Sequence, residues 1–193
     1  MDKKTQIINA AIEVFAEKGL DKGKIDDIAK VAGIGKGTVY GYFKSKDELF
    51  SAIEKMFIYD SVDQIDVLTK SNKSPTEKIE EIVNYSITMH EEMGDAALII
   101  AELWAQHGRG QLHGHKESAF ADMYLDFNDS VLKVLSEGIK TNEFREMNKE
   151  GVAALLLAFI DGAIWQSVIF KGEIQFKRKL NEAAKSFMQG IKK

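Results

Sequence analysis

The chain holds little of what covalent catalysis or metal binding requires. It has no cysteine, which removes disulfides, thiolate metal ligands and cysteine nucleophiles together. Three histidines, His107, His113 and His115, crowd the stretch HGRGQLHGHK from His107 to Lys116. None of them stands at the i, i+4 spacing that sets two imidazoles on one helix face, and only carboxylates are at hand to complete a ligand set. With three glycines among these residues, the stretch reads as a flexible, solvated connection. No metal site and no cofactor is expected. Glu102 and His107, beside Trp104, are candidates for an acid–base pair. Five positions apart on a helix they share a face poorly, and no nucleophile motif or phosphate loop accompanies them. A small enzyme built on Glu102 and His107 therefore stays an alternative, as does a helical module that binds protein; the expectation is that the chain is not an enzyme.

A different chemistry lies between Gly33 and Leu49, in GIGKGTVYGYFKSKDEL. Four glycines, a threonine, two tyrosines and three lysines gather there, in a chain of 193 residues with a formal net charge of −4. Such a mixture packs poorly. It does offer ammonium and hydroxyl donors to phosphate oxygens, and small residues that let a helix backbone approach a groove. The charge distribution agrees. Residues 1–50 hold nine Lys against eight Asp plus Glu, a net of about +1, leaving about −5 for the remainder. That asymmetry suggests a small anion-facing head on an acidic body.

Helices must position these groups. Ile8, Ala11, Ile12 and Phe15 fall at i, i+3, i+4 and i+7, in a helix that ends at Gly19. Ile25, Ile28, Ala29 and Ala32 repeat the spacing and stop at Gly33. Val39 and Phe43 carry a third, short helix over about Lys36–Phe43, and Leu49, Phe50, Ile53 and Phe57 line a fourth. The second and third helices, joined by a three-residue turn that begins at Gly33 and is plugged by Ile34, have the proportions of a helix-turn-helix. With Val39 and Phe43 inward, Lys36, Gly37, Thr38, Tyr40, Gly41 and Tyr42 are left on outward or N-terminal positions. Lys46 lies in the first turn of the fourth helix, where a helix N-terminus favours phosphate. Ser45 with Glu48 forms a capping box for that helix, and Ser74-Pro75-Thr76-Glu77 does the same for a fifth.

The remaining elements are also helical: Ala96 to His107, apolar almost all round and so expected to be buried; about Glu117 to Lys140, roughly 36 Å long; about Lys149 to Lys171, capped by Asn148; and a last one using Phe176, Leu180, Ala184, Phe187 and Ile191. Pro75 is the only proline and no strand pattern emerges. The fold class is all-α, about nine helices, with a three-helix helix-turn-helix head over residues 1–46 and a helical bundle over 47–193.

Thr5 to Phe50 resembles the N-terminal DNA-binding domain of TetR-family transcriptional regulators. The pattern runs through Ala11, Phe15, Gly19, Ile28-Ala29, Ala32-Gly33, the Lys-Gly-Thr-Val-Tyr run and Phe43, then Lys46 and Leu49. The resemblance implies a homodimer on a palindromic double-stranded operator, one recognition helix in each major groove. By position, Lys36, Gly37 and Thr38 would meet bases and backbone, Tyr40 and Tyr42 phosphates or bases, and Lys46 a phosphate. Gly41 replaces a larger residue common there, and loosens the helix by roughly 1 kcal/mol relative to Ala. Gly23-Lys24 stands where Thr or Ser often opens the preceding helix, so Lys24 would supply that phosphate contact with a weaker cap. Asp26 would repel phosphate unless it reads a cytosine amine.

The body resembles the family's variable half, which usually binds a small molecule and dimerises. The eighth helix is too apolar for solvent, and pairing the last two helices with those of a second copy would bury it in a four-helix bundle. Apolar candidates for lining a pocket are Tyr85, Met89, Trp104, Phe127 and Trp165, each of which also reads as plain core; polar anchors are Glu102, His107, Asp161 or Gln166. Asp161, a carboxylate inside an apolar helix, needs a partner, in a pocket or at an interface. A small hydrophobic or aromatic effector fits this set. Asp161 also argues against reading Val152 to Phe170 as a membrane span. MDKKTQIINA has no long apolar run after its lysines, so no signal peptide is expected and the location expected is cytoplasmic. The functional expectation is a ligand-responsive transcriptional regulator, a repressor.

Overall fold

Amphipathic spacing and local caps explain where each helix starts and stops. In the computed structural model, residues 2–93, 96–112, 119–170 and 174–193 are described. Among them nine helices follow in order: α1 (Lys3–Lys22), α2 (Ile25–Val31), α3 (Lys36–Tyr42), α4 (Lys46–Lys70), α5 (Pro75–Met93), α6 (Ala96–Leu112), α7 (Ala119–Lys140), α8 (Lys149–Ile169) and α9 (Ile174–Ile191). The only β-type pairing among the described residues is an isolated bridge between Phe144 and Lys192. By packing, the chain divides into two compact units, Met1–Tyr59 with Asp95–Phe120, and Asp60–Gly94 with Ala121–Lys193.

In the first unit, α1 packs on α2 and α6, and α2 on α3. The Asp2 carboxylate caps α1 by accepting from the Thr5 amide at 2.9 Å. Gly19 leaves the helix with φ 76 and ψ 160, a region nearly closed to other residues, and one further turn follows it to Lys22. Ile7, Ala11, Phe15, Ile28, Val39, Phe43, Leu49 and Ile53 are buried, and the Phe15 and Phe50 rings meet edge to face at 6.1 Å. Each of the larger of these side chains, Ala11 apart, contributes about 1.5–3 kcal/mol on full burial.

The second unit holds α5, α7, α8 and α9, with α5 packed on α8 and α9. The α5 capping box forms both ways: the Glu77 carboxylate accepts from the Ser74 amide at 2.8 Å, and the Ser74 hydroxyl from the Glu77 amide at 3.3 Å. Asn148 caps α8 by accepting from the Gly151 amide at 2.7 Å. α7 closes with Asn142 at φ 67, and the Glu143 and Asn142 amides turn back to the Gly138 and Ile139 carbonyls. Phe144 then folds, fully buried, over Gly138, where any Cβ would drive into its ring. Lys78 is buried and pairs with Glu137 at 3.1 Å.

Two sequence expectations need correction. His107–Leu112 continues α6 instead of opening a loop, because Gly108 and Gly110 lower helix propensity without forbidding a helix that is already nucleated; His113 and His115 lie outside the described residues. Nor is α6 buried all round: Ala97, Ile99 and Leu103 are buried while Leu98 is 42% exposed. Similarly, α8 buries the stripe Ala153, Leu156, Ile160 and Ala163 and leaves Leu155, Trp165 and Ile169 exposed. None of the helices, over the described residues, is long and apolar enough to cross a membrane.

Candidate nucleic-acid interface

The turn between α2 and α3 is set by backbone hydrogen bonds. Gly33 takes φ 63, its amide reaches the Lys30 carbonyl at 3.2 Å, and the Ile34 amide reaches the Ala29 carbonyl at 3.0 Å. This is a Schellman closure, which favours glycine at the left-handed position. Ile34 sits half-buried in the corner. From α1, the Gln6 side chain donates through Nε2 to the Ala32 carbonyl at 2.6 Å, so the end of α2 is tied on two sides.

α3 is thereby anchored by Val39 and, at its C-cap, Phe43, which are 0% and 2% exposed. Everything else on it faces outward: Lys36, Gly37, Thr38, Tyr40, Gly41 and Tyr42 are all exposed, the two tyrosines by nearly half. A Cβ added at Gly37 or Gly41 would meet nothing within 4 Å, and neither residue has positive φ. Packing within the chain therefore does not require glycine at either position. Four residues apart, they leave a Cβ-free strip on one side of the helix, bordered by hydroxyl donors.

The charged candidates are less available than their positions suggest. The Lys36 ammonium pairs with Asp26 of α2 at 2.7 Å and lies 6.0 Å from the centre of the Tyr40 ring. Its hydrogen bond to Asp26 raises its pKa. Lys46 turns inward: its ammonium donates to the Leu20 and Asp21 carbonyls at 2.6 and 3.1 Å, which ties the start of α4 to the end of α1. Lys24 is exposed at the N-cap of α2 and gives no side-chain cap. The α4 cap forms with a shifted partner. Ser45 accepts from the Glu48 amide at 3.0 Å, while Glu48 reaches the Lys44 amide at 2.6 Å, not that of Ser45.

The effector candidates divide between the units. Glu102, Trp104 and His107 belong to the first, on α6; Tyr85, Met89, Phe127, Asp161 and Trp165 belong to the second. Glu102 pairs with Arg109 at 2.9 Å on its own helix. Trp104 and His107 are half-buried, and the His107 charge opposes the burial that raises the pKa of Glu54 on α4. In the second unit Tyr85 and Phe127 are half-buried and Trp165 is 41% exposed. Met89 lies on the α5 backbone, and nothing is described of its side chain. Asp161 has the partner that its surroundings demanded: the Tyr124 hydroxyl donates to Oδ1 at 2.8 Å. Burial raises the Asp161 pKa against the opposing pull of that hydroxyl. Tyr124, Gln6 and the Asp26–Lys36 pair were missed in the sequence, because partners 37, 26 and 10 positions apart leave no periodic signal.

Residues 7–53 match the family described as bacterial regulatory proteins, tetR family. The fatty acid metabolism regulator protein of Bacillus subtilis is 30% identical over 145 residues, covering 75% of this chain and 72% of its own. A negative transcriptional regulator of the icaADBC biofilm operon in Staphylococcus aureus (strain Newman) is 29% identical over 162 residues, covering 82% and 80%. Among solved structures, the transcriptional regulator FadR from Bacillus subtilis in complex with stearoyl-CoA has the same fold, with a TM-score of 0.74 at 21% identity over 97% of this chain and 98% of its own. An anchored helix-turn-helix with an outward polar face, a head that matches the family model and relatives that regulate transcription agree: the chain belongs to the TetR family and is a DNA-binding transcriptional regulator.

Proposed function

We propose that the protein is an effector-responsive repressor that binds a palindromic operator as a homodimer and has no catalytic role. The observation that carries this reading is the face of α3, where packing holds Val39 and Phe43 and leaves Lys36, Gly37, Thr38, Tyr40, Gly41 and Tyr42 outward. Residues 1–46 are assigned to DNA contact and 47–193 to effector binding and dimerisation. Lys24 is assigned to phosphate. Lys46 is reassigned from phosphate to holding α4 against α1, since two carbonyls engage its ammonium. Dimerisation through α8 and α9 is supported by the exposed Leu155, Trp165 and Ile169, which a second copy would cover.

The effector is a hydrophobic molecule, for which the candidate contacts are Tyr85, Met89, Phe127, Asp161 and Trp165 in the second unit and, taken separately, Glu102, Trp104 and His107 in the first. A long-chain acyl thioester is the first candidate, because one relative is a fatty acid metabolism regulator and one structure of the same fold holds stearoyl-CoA. Release requires the effector to bind the DNA-incompetent state more tightly than the competent one. α4, which starts in the head and continues into the body, is the element through which the two are linked.

The test is a titration against duplex DNA from upstream of the protein's own gene at several salt concentrations, with and without stearoyl-CoA. Tight binding that weakens with salt and is reversed by the acyl thioester is expected. Binding to no tested duplex more tightly than to a scrambled one would reject the DNA reading; indifference to the thioester would reject this effector alone.

A further inference from the structure

A lysine at the tip of a DNA-reading helix ordinarily adds to phosphate affinity. Lys36 is held differently. Its ammonium is 2.7 Å from Asp26, on the helix that packs against α3, and both side chains are more than half exposed. Asp26 stands in the first turn of α2, where a carboxylate suits the helix N-terminus; the exposed pair with Lys36 contributes little further to folding, so its consequence lies at the surface it occupies. The same ammonium lies 6.0 Å from the Tyr40 ring centre, so Lys36 has both Asp26 and Tyr40 as neighbours on the exposed surface. In a head whose net charge is only about +1, one carboxylate at this surface is a large share of the electrostatic balance.

We propose that Asp26 is a specificity-determining residue: by holding the Lys36 ammonium it keeps that lysine out of the phosphate count and fixes it, beside Tyr40, as a donor aimed at base edges. The inference rests on α3 being the DNA-reading helix. Non-specific binding scales with the phosphates neutralised, and a lysine already matched by a carboxylate adds nothing net to that number. Discrimination depends on the ratio of operator to non-specific affinity, so lowering the second raises the ratio without a new base contact. A lysine fixed by two neighbours also loses less freedom when it meets a base acceptor than a mobile one does.

The experiment uses two duplexes of equal length, one enriched by the wild-type protein from a random-sequence library and one scrambled, each titrated over a salt series. Asp26→Asn keeps the shape and removes the charge. It is expected to bind the scrambled duplex about 3- to 10-fold more tightly at moderate salt, with the log–log salt slope steeper by about 0.9 per protomer. The operator preference falls accordingly. The double variant Asp26→Asn/Lys36→Gln removes a pair that contributes no net charge, and its slope returns to the wild-type value. An unchanged slope in Asp26→Asn, or a double variant shallower than wild type, overturns the proposal. So does a loss confined to one base pair of the enriched duplex, which would assign Asp26 to a cytosine amine. If the wild-type protein enriches no duplex, the DNA reading fails and the inference with it, a result separable from the others at the first step.

Discussion

Replacing Gly41 by alanine should move stability and DNA binding in opposite directions. Gly41 lies in α3 with an ordinary helical φ, and a Cβ there meets nothing within 4 Å. The substitution therefore adds no internal clash and recovers the entropy that glycine loses in a helix, about 0.5–1 kcal/mol. For a chain of this size that raises the thermal midpoint by about 1–4 °C. The added methyl projects from the surface proposed to press into a major groove. Overfilling a close contact costs about 1–3 kcal/mol, so operator affinity should fall by about 5- to 150-fold. Gly108→Ala in α6, also with nothing within 4 Å, is the control: it should gain stability and leave DNA binding alone. Thermal melts and fluorescence-anisotropy titrations on the same preparations give both readouts. A Gly41→Ala protein that is more stable yet binds operator like wild type would refute the close approach of α3 to DNA. One that is less stable would refute the account of the local backbone.

Three further outcomes follow from packing and charge. Lys46→Met should lower thermal stability by an amount on the order of 1 kcal/mol, by removing the ammonium from the Leu20 and Asp21 carbonyls, with the salt slope of DNA binding unchanged; a slope shallower by about 0.9 per protomer would put Lys46 on phosphate after all. Gly138→Ala should destabilise by about 1–3 kcal/mol in denaturant unfolding, because its methyl and the buried Phe144 ring need the same space; a neutral result would show that Phe144 repacks without cost. Asp161→Asn keeps an oxygen for the Tyr124 hydroxyl and removes a charge that burial disfavours. Because the folded-state pKa is raised, the wild-type penalty is absent below the ordinary carboxylate pKa of about 3.9 and complete above the raised value. The variant should thus be the more stable protein at neutral pH, with the advantage vanishing as pH falls through that window; a difference that does not vary with pH would count against burial as its cause.

The all-α fold and the helix-turn-helix were legible in the sequence because their signals are local. Ile28, Ala29, Val39 and Phe43 repeat at helical spacing, Gly33 marks the turn between α2 and α3 where the chain needs positive φ, and Ser74-Glu77 and Asn148 cap within a single turn. Where local propensity was weighed alone it misled: the glycines after His107 suggested a loop in what is the last part of α6. Tertiary structure decided what each charged side chain does. Lys36 and Lys46 look alike in the sequence, two lysines near helix starts, yet one is paired to Asp26 at the surface and the other is turned inward onto carbonyls 25 and 26 positions earlier. Asp161 needed a partner on any reading, but only the packed second unit brings Tyr124 to it. Helix formation depends on neighbours within one or two turns, which a sequence displays. The role of a long polar side chain depends on which distant atoms the fold brings within 3 Å of its tip, and for Lys46 those were the carbonyls left over at the end of α1.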